Sequence, residues 1–145
     1  MEFSRHVTIN WTVPIMEGSG MVAAGSGAFS LPVTFPRRIG EPDGMTSPEE
    51  LMAAAHAACF AMALNGAVGR KGGAIAKTHI SCTVTADKGD GGIKITTSAL
   101  SVVAEGLTGI AAADFAEVAK AAEAGCPVSN AYRGSMTVTL ETSVK

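Results

Sequence analysis

The sequence predicts an α+β domain with antiparallel strands and one long central helix. Three observations lead there. Several stretches alternate apolar and polar residues between turn-forming residues, as half-buried strands do. A single long run, from Pro48 to about residue 69, opens with a helix-start signature and stays rich in alanine. The elements follow the order βββ-α-ββ-α-β with no repeat, linker or low-complexity tail, so residues 1–145 are expected to form one domain.

Residues 6–13 (HVTINWTV) alternate as a strand, and 20–24 and 27–34 read as two more, divided at Gly25-Ser26. The stretch FPRRIGEPDGMT, with two prolines and two glycines, reads as a loop. TSPEEL then starts the helix. Ser47 suits the N-cap, Pro48 the first helical position, and Glu50 completes a capping box, while Glu49-Glu50 favour the helix N-terminus electrostatically. GRKGG ends the run, and its small residues on nearly every side predict a helix buried all round. Residues 75–87 and 93–104 alternate again and are joined at DKGDGG in a hairpin. Residues 110–125 form a second amphipathic helix stopped at Gly125. Cys126 is then placed at the N-cap of a short helix starting at Pro127, and SMTVTLETSV forms the last strand.

Composition excludes several function classes. A net charge of -2, with no basic run beyond Arg37-Arg38 and Arg70-Lys71, argues against nucleic acid or an anionic membrane as partner. No uninterrupted apolar run reaches the length of a membrane span, and MEFSRHVTIN lacks the apolar segment of an export signal. Three cysteines, an odd number, do not form a secreted disulfide framework, so a cytoplasmic setting is expected. Aromatics make up only 5% of the chain while Ala and Gly are abundant, and such a core packs by close backbone approach and favours a partner chain.

The cysteines carry the candidate chemistry. Cys82, in phase with Ile80 and Val84 on the apolar face of its strand, reads as an inert buried thiol. Cys59, in AAAHAACFAMAL, reads in isolation as filler in a helix. A metal site would join His56 and Cys126 to Cys59, with His79 or Cys82, although neither CxxC nor HxxxH spacing is present. A Cys-His hydrolase with His56 as base has no nameable orienting residue. Both readings leave the pairing of TSPEEL, Arg37-Arg38 and GCPVS unexplained. His56, one turn before Cys59, reads as a packing histidine bonded to backbone, with tuning of the thiolate as the alternative.

The strings TSPEELMAAAHAACFAMAL and AGCPVSNA resemble the osmotically inducible protein C / organic hydroperoxide resistance (OsmC/Ohr) family, nearer its OsmC branch. The resemblance runs over nearly the whole chain, including Trp11 in the first strand. It implies an OsmC-like fold, with antiparallel sheets wrapped around long central helices in an intertwined homodimer. It also implies a cysteine-based peroxidase that reduces organic hydroperoxides in preference to hydrogen peroxide. By motif, Cys59 matches the peroxidatic cysteine and Cys126 the resolving one, and Glu49 matches the glutamate that holds the active-site arginine. Arg38 in RRIGE fits that arginine best, and Arg37 is the second choice. The implied reductant is a dithiol of the lipoyl type, and no cofactor or metal is required. A thiol or metal-binding protein and an inactive structural dimer are the competing classes.

The chemistry can be set against helix geometry. A thiolate attacks peroxide, and an ordinary cysteine has a pKa near ~8.5. Cys59 lies about 16 Å from the helix start, where the dipole no longer acts. A positioned cation must therefore activate it, and an arginine held by a carboxylate fits that task. Glu49, about 15 Å from Cys59 along one continuous helix, cannot share a site with it. It is expected to serve the Cys59 of another subunit across paired helices. An apolar pocket from Phe35, Met45, Phe60 and Met62 is expected to favour organic peroxides.

Overall fold

A computed structural model describes residues 1–145, which form two compact units, Met1–Leu51 and Met52–Lys145. In the first, strands β1 (Val7–Thr12), β2 (Ser19–Ala24) and β3 (Ser30–Val33) make an antiparallel meander. Trp11 pairs with Gly20, and a Cβ at that glycine would stand 2.8 Å from the indole ring, so a larger residue there would push the ring aside. The segment expected to be a loop contains a short helix, α1 (Phe35–Ile39). Pro36 lies in its first turn, where a missing N–H costs nothing, and the Thr34 hydroxyl accepts from the Arg37 N–H at 3.3 Å.

Helix α2 (Pro48–Arg70) starts where TSPEEL predicts. The Ser47 hydroxyl accepts from the Glu50 N–H at 3.1 Å, but the return arm of the capping box does not form. The Glu50 carboxylate instead accepts from the Thr46 hydroxyl at 2.8 Å. Gly72 adopts φ +77° just past the helix, a left-handed stop that any side chain would strain. The expectation of burial on every face fails. His56, Phe60, Leu64 and Val68 form one buried stripe at four-residue spacing, while Ala54, Ala55, Ala58 and Met62 are exposed. The expectation that no segment could span a membrane also needs correction. By length and composition α2 is apolar enough, because its charged residues are confined to its ends.

In the second unit, β4 (Ala74–Gly89) and β5 (Gly92–Thr108) form a hairpin longer than predicted, since Gly89 and Gly92 of DKGDGG join the ladder and leave only Asp90-Gly91 as the turn. A 3-10 turn, then α3 (Phe115–Ala124) and α4 (Pro127–Tyr132), carry the chain to β6 (Thr137–Val144). The α+β class holds. One strand departs from the all-antiparallel expectation, because β6 runs parallel to β5. The crossover through α3 and α4 returns the chain to the starting end of the sheet, which is what a parallel pairing needs. The core lies on one face of this sheet. There Leu100, Val102 and Ala104 of β5 meet Phe60, Leu64 and Val68 of α2 and Phe115, Val118 and Ala119 of α3.

Candidate active site

Cys59 lies beside the buried stripe of α2, half-buried, while Cys126 is fully buried at the N-cap of α4, as its sequence predicts. Their thiols are free and their sulfurs stand 3.0 Å apart, although 67 residues separate them in sequence. Closing to a disulfide requires a shift of about 1 Å. Burial raises the Cys59 thiol above the ordinary cysteine range, the contact with Cys126 raises it further, and only the Val128 N–H opposes this. No cation is among the groups acting on it. Burial would also raise Cys126, but hydrogen bonding from Cys59, from the Ser129 N–H and hydroxyl, and from the Val128 N–H brings it below 9.0.

A cavity of about 550 Å³ opens beside Cys59, lined by Met62, Ala63, Ala67, Val118 and Pro127 among others. Of the four residues expected to form an apolar pocket, only Met62 lines it. Phe60 is fully buried in the core instead, and Phe35 and Met45 belong to the first unit.

Arg38 and Glu49 form a two-pronged ion pair inside the first unit. The Arg38 Nε donates to both Glu49 carboxylate oxygens at 3.2 Å, and an Nη donates at 2.6 Å. Burial would raise the Glu49 carboxyl, but Arg38 and the hydrogen bonds around it outweigh that and hold it below its ordinary 4.5. Arg37, the second choice for this arginine, turns away to Asp43 at 2.9 Å and to the Glu41 carbonyl at 3.3 Å. α2 is continuous from Pro48 to Arg70, so Glu49 and Cys59 stand about 15 Å apart along its axis.

His56 departs from its sequence reading. It is fully buried, and its partners are two hydroxyls rather than backbone. Nδ1 meets Ser98 Oγ of β5 and Nε2 meets Ser129 Oγ of α4, each at 2.7 Å. Burial lowers its pKa below 6.5, which keeps the ring neutral. Cys82, expected to be inert and buried, is half-buried, with its sulfur 3.4 Å from Ser98 Oγ and 3.8 Å from His56 Nδ1. Burial raises its thiol above 9.0. The Tyr132 ring packs edge-on against His56 at 5.3 Å, and its hydroxyl donates to the Met52 carbonyl at 3.1 Å, pinning α4 to α2. Sequence reasoning missed Ser98, Ser129 and Tyr132. A signal existed for Ser98, a polar residue in phase with the inward-facing Leu100, Val102 and Ala104.

The metal reading gains no site from this geometry. His79 pairs with Glu105 at 3.4 Å on an exposed face, and no group of three or more potential ligands comes together.

Two adjacent thiols on a long helix and a short one, packed on a mixed sheet, define a dithiol protein of the α+β class. The chain belongs to the OsmC-like family, whose model (OsmC-like protein) matches residues 40–141. It is 40% identical over 131 residues to Peroxiredoxin OsmC of Escherichia coli (strain K12), covering 89% of this chain and 90% of the relative. It is 33% identical over 126 residues to Organic hydroperoxide resistance protein OhrA of Bacillus subtilis (strain 168), covering 84% and 86%. Its fold is similar to the crystal structure of the organic hydroperoxide resistance protein OhrB of Bacillus subtilis. There the TM-score is 0.73 at 27% identity, over 95% of this chain and 98% of that one.

Proposed function

We propose that the protein is a thiol-dependent peroxidase that reduces organic hydroperoxides to alcohols and protects against oxidative stress. The observation that carries this reading is the 3.0 Å approach of the Cys59 and Cys126 sulfurs, with Cys59 on the wall of a cavity. The names of the two curated relatives support it. Cys59 thiolate attacks the hydroperoxide, the O–O bond breaks, the alcohol leaves, and a sulfenic acid remains on Cys59. Cys126 condenses with it, forming the Cys59–Cys126 disulfide and water. An external dithiol, of the lipoyl type in this reading, then restores both thiols by exchange. Thiols alone complete the cycle, so it calls for no cofactor or metal, and it suits a reducing cytoplasm.

Activation of Cys59 needs a cation, and although Arg70 and Lys71 line the same cavity, neither is among the groups acting on the thiol. Arg38, held rigid by Glu49, fits that role when offered by a second copy of the chain. The exposed alanine face of α2 and the exposed Val7, Ile9 and Trp11 of β1 are the surfaces such a copy would cover. The protein in this reading is a homodimer with composite sites. The test is to treat the reduced protein with one equivalent of cumene hydroperoxide and map the thiols by mass spectrometry. A Cys59–Cys126 bridge that Cys59→Ser abolishes is expected, and thiols left unoxidised would sink the reading.

A further inference from the structure

We infer that the cavity beside Cys59 is the site of the reductant. A small dithiol carrying an acid group enters there and attacks the Cys59 sulfur of the disulfide, so that Cys126 is the leaving thiol. This deepens the peroxidase reading above and rests on it. The first observation is a difference in access. Cys59 is half-buried and lines the cavity, whereas Cys126 has no exposed surface. Gly125 and Pro127 both line the cavity and Cys126 between them does not, so its side chain is turned inward. Which sulfur of a disulfide an incoming thiolate takes depends on access. The two sulfurs already stand 3.0 Å apart, so closing the bridge moves neither far, and Cys59 stays the one within reach.

The second observation is the charge around that cavity. Its only charged lining residues are Arg70, the last residue of α2, and Lys71 just past it. Neither is held by a carboxylate, unlike Arg37, Arg38 and Arg133. The Arg70 Nη1 lies 3.3 Å from the place a Gly66 Cβ would take, so the guanidinium folds back along the helix toward Cys59. Gly66 stands two turns past Cys59, which sets the cation about 10 Å from the thiol along the axis, on the same helix face. Ala63, Ala67 and Val118 give the space between them an apolar wall. Lys71 also shares a neighbouring hollow with Asp114 and Glu117, which leaves Arg70 as the main contact for an anion. The arrangement fits a short alkyl chain with a thiol at one end and a carboxylate at the other.

In the exchange the thiolate of the reductant bonds to the Cys59 sulfur. The Cys59–Cys126 bond breaks with its electron pair on Cys126, which takes up the proton that the attacking thiol gave up. The second thiol of the reductant then attacks its own bonded sulfur in the same way. Cys59 is released as a thiol, and the reductant leaves as a cyclic disulfide. Two electrons and two protons pass from the dithiol to the protein.

The test uses monothiols, which stop at the first step. The disulfide is made in the full-length protein with cumene hydroperoxide and, independently of that chemistry, with diamide. It is then mixed with mercaptohexanoate, and the released thiol is capped with N-ethylmaleimide before mass spectrometry. The mercaptohexanoate adduct is expected on Cys59 and the maleimide on Cys126, and the reverse placement overturns the inference. At low salt mercaptohexanoate should react about fivefold faster than the uncharged mercaptohexanol, the range of one exposed ion pair, and the difference should fade at high salt. Arg70→Glu, at an exposed position, should bring the ratio of the two rates to one or below. Equal rates for the two thiols in the wild type, or a preference that survives Arg70→Glu, overturns the acid-binding site. Should hydroperoxide leave both thiols reduced while diamide joins them, the peroxidase reading falls, and the position of the adduct still decides which sulfur is attacked.

Discussion

The sulfurs of Cys59 and Cys126 approach to 3.0 Å, yet burial and hydrogen bonding set their proton affinities apart, with Cys59 raised and Cys126 lowered. The roles proposed for the two thiols separate their variants. Cys59→Ser should abolish hydroperoxide consumption. Cys126→Ser should consume about one equivalent and stop, with Cys59 trapped by dimedone as a sulfenic acid. Steady multiple turnover by Cys126→Ser with the same dithiol would contradict the assigned roles.

The fork between Arg38 and Glu49 predicts an outcome that separates two adjacent arginines. Arg38→Ala should slow hydroperoxide reduction by about a hundredfold or more, as removal of a positioned charge does. It also leaves a mostly buried carboxylate unpaired, at roughly 1–3 kcal/mol of stability in urea unfolding. Arg37→Ala, whose pair with Asp43 is exposed, should change both by little. A reversed result in stopped-flow assays would move the activating role to Arg37.

His56 predicts acid sensitivity. Its folded pKa lies below 6.5, so on acidification the unfolded chain takes up a proton before the native protein does. Its contribution is present above pH 6.5 and is lost as pH falls below that value, with a slope of up to about 1.4 kcal/mol per pH unit. Glu49 acts with the same sign, below pH 4.5. Urea unfolding of wild type and His56→Gln at several pH values between 7.5 and 5 checks this, and the variant should lose the first of these slopes.

Phe60 is the largest side chain with no exposed surface, packed among α2, α3 and β5. Phe60→Ala should cost about 3–5 kcal/mol, and Leu64→Ala about 2–5 kcal/mol. Equilibrium unfolding monitored by circular dichroism measures both.

The exposed alanines of α2 predict an association surface. Ala58→Glu places a charge on that face without touching the buried stripe, and it should turn a dimer into monomers on light scattering while lowering peroxidase activity. A wild-type protein that is already monomeric and fully active would remove the composite site.

What the sequence made legible was local. Ser47, Pro48 and Glu50 announce the start of α2, because capping is decided within one turn. The place of Cys126 before Pro127 likewise marks α4. α1 was hidden by its own composition, since the prolines and glycines that suggest a loop also open and close a one-turn helix there. The parallel partnership of β6 depends on where a long crossover delivers the chain, which no alternation pattern encodes. His56 was misread for the same reason. Its hydroxyl partners lie 42 and 73 residues away, and the alanines around it gave no sign of either. Cys59 and Cys126 were paired through motif resemblance, and their proximity comes from tertiary packing alone.

The position of β6 sets an order on the making of the molecule. Synthesis delivers Cys59 well before Cys126, and the strand that completes the second sheet comes after both. Contacts between such distant segments form late, because the intervening chain must first be gathered. A growing chain therefore carries Cys59 on α2 without its partner thiol for the 67 residues of elongation that separate them. The second thiol arrives with α4, and residues 137–144 complete the sheet along β5 only after it. The pair of thiols is thus assembled late in synthesis, from segments 67 residues apart.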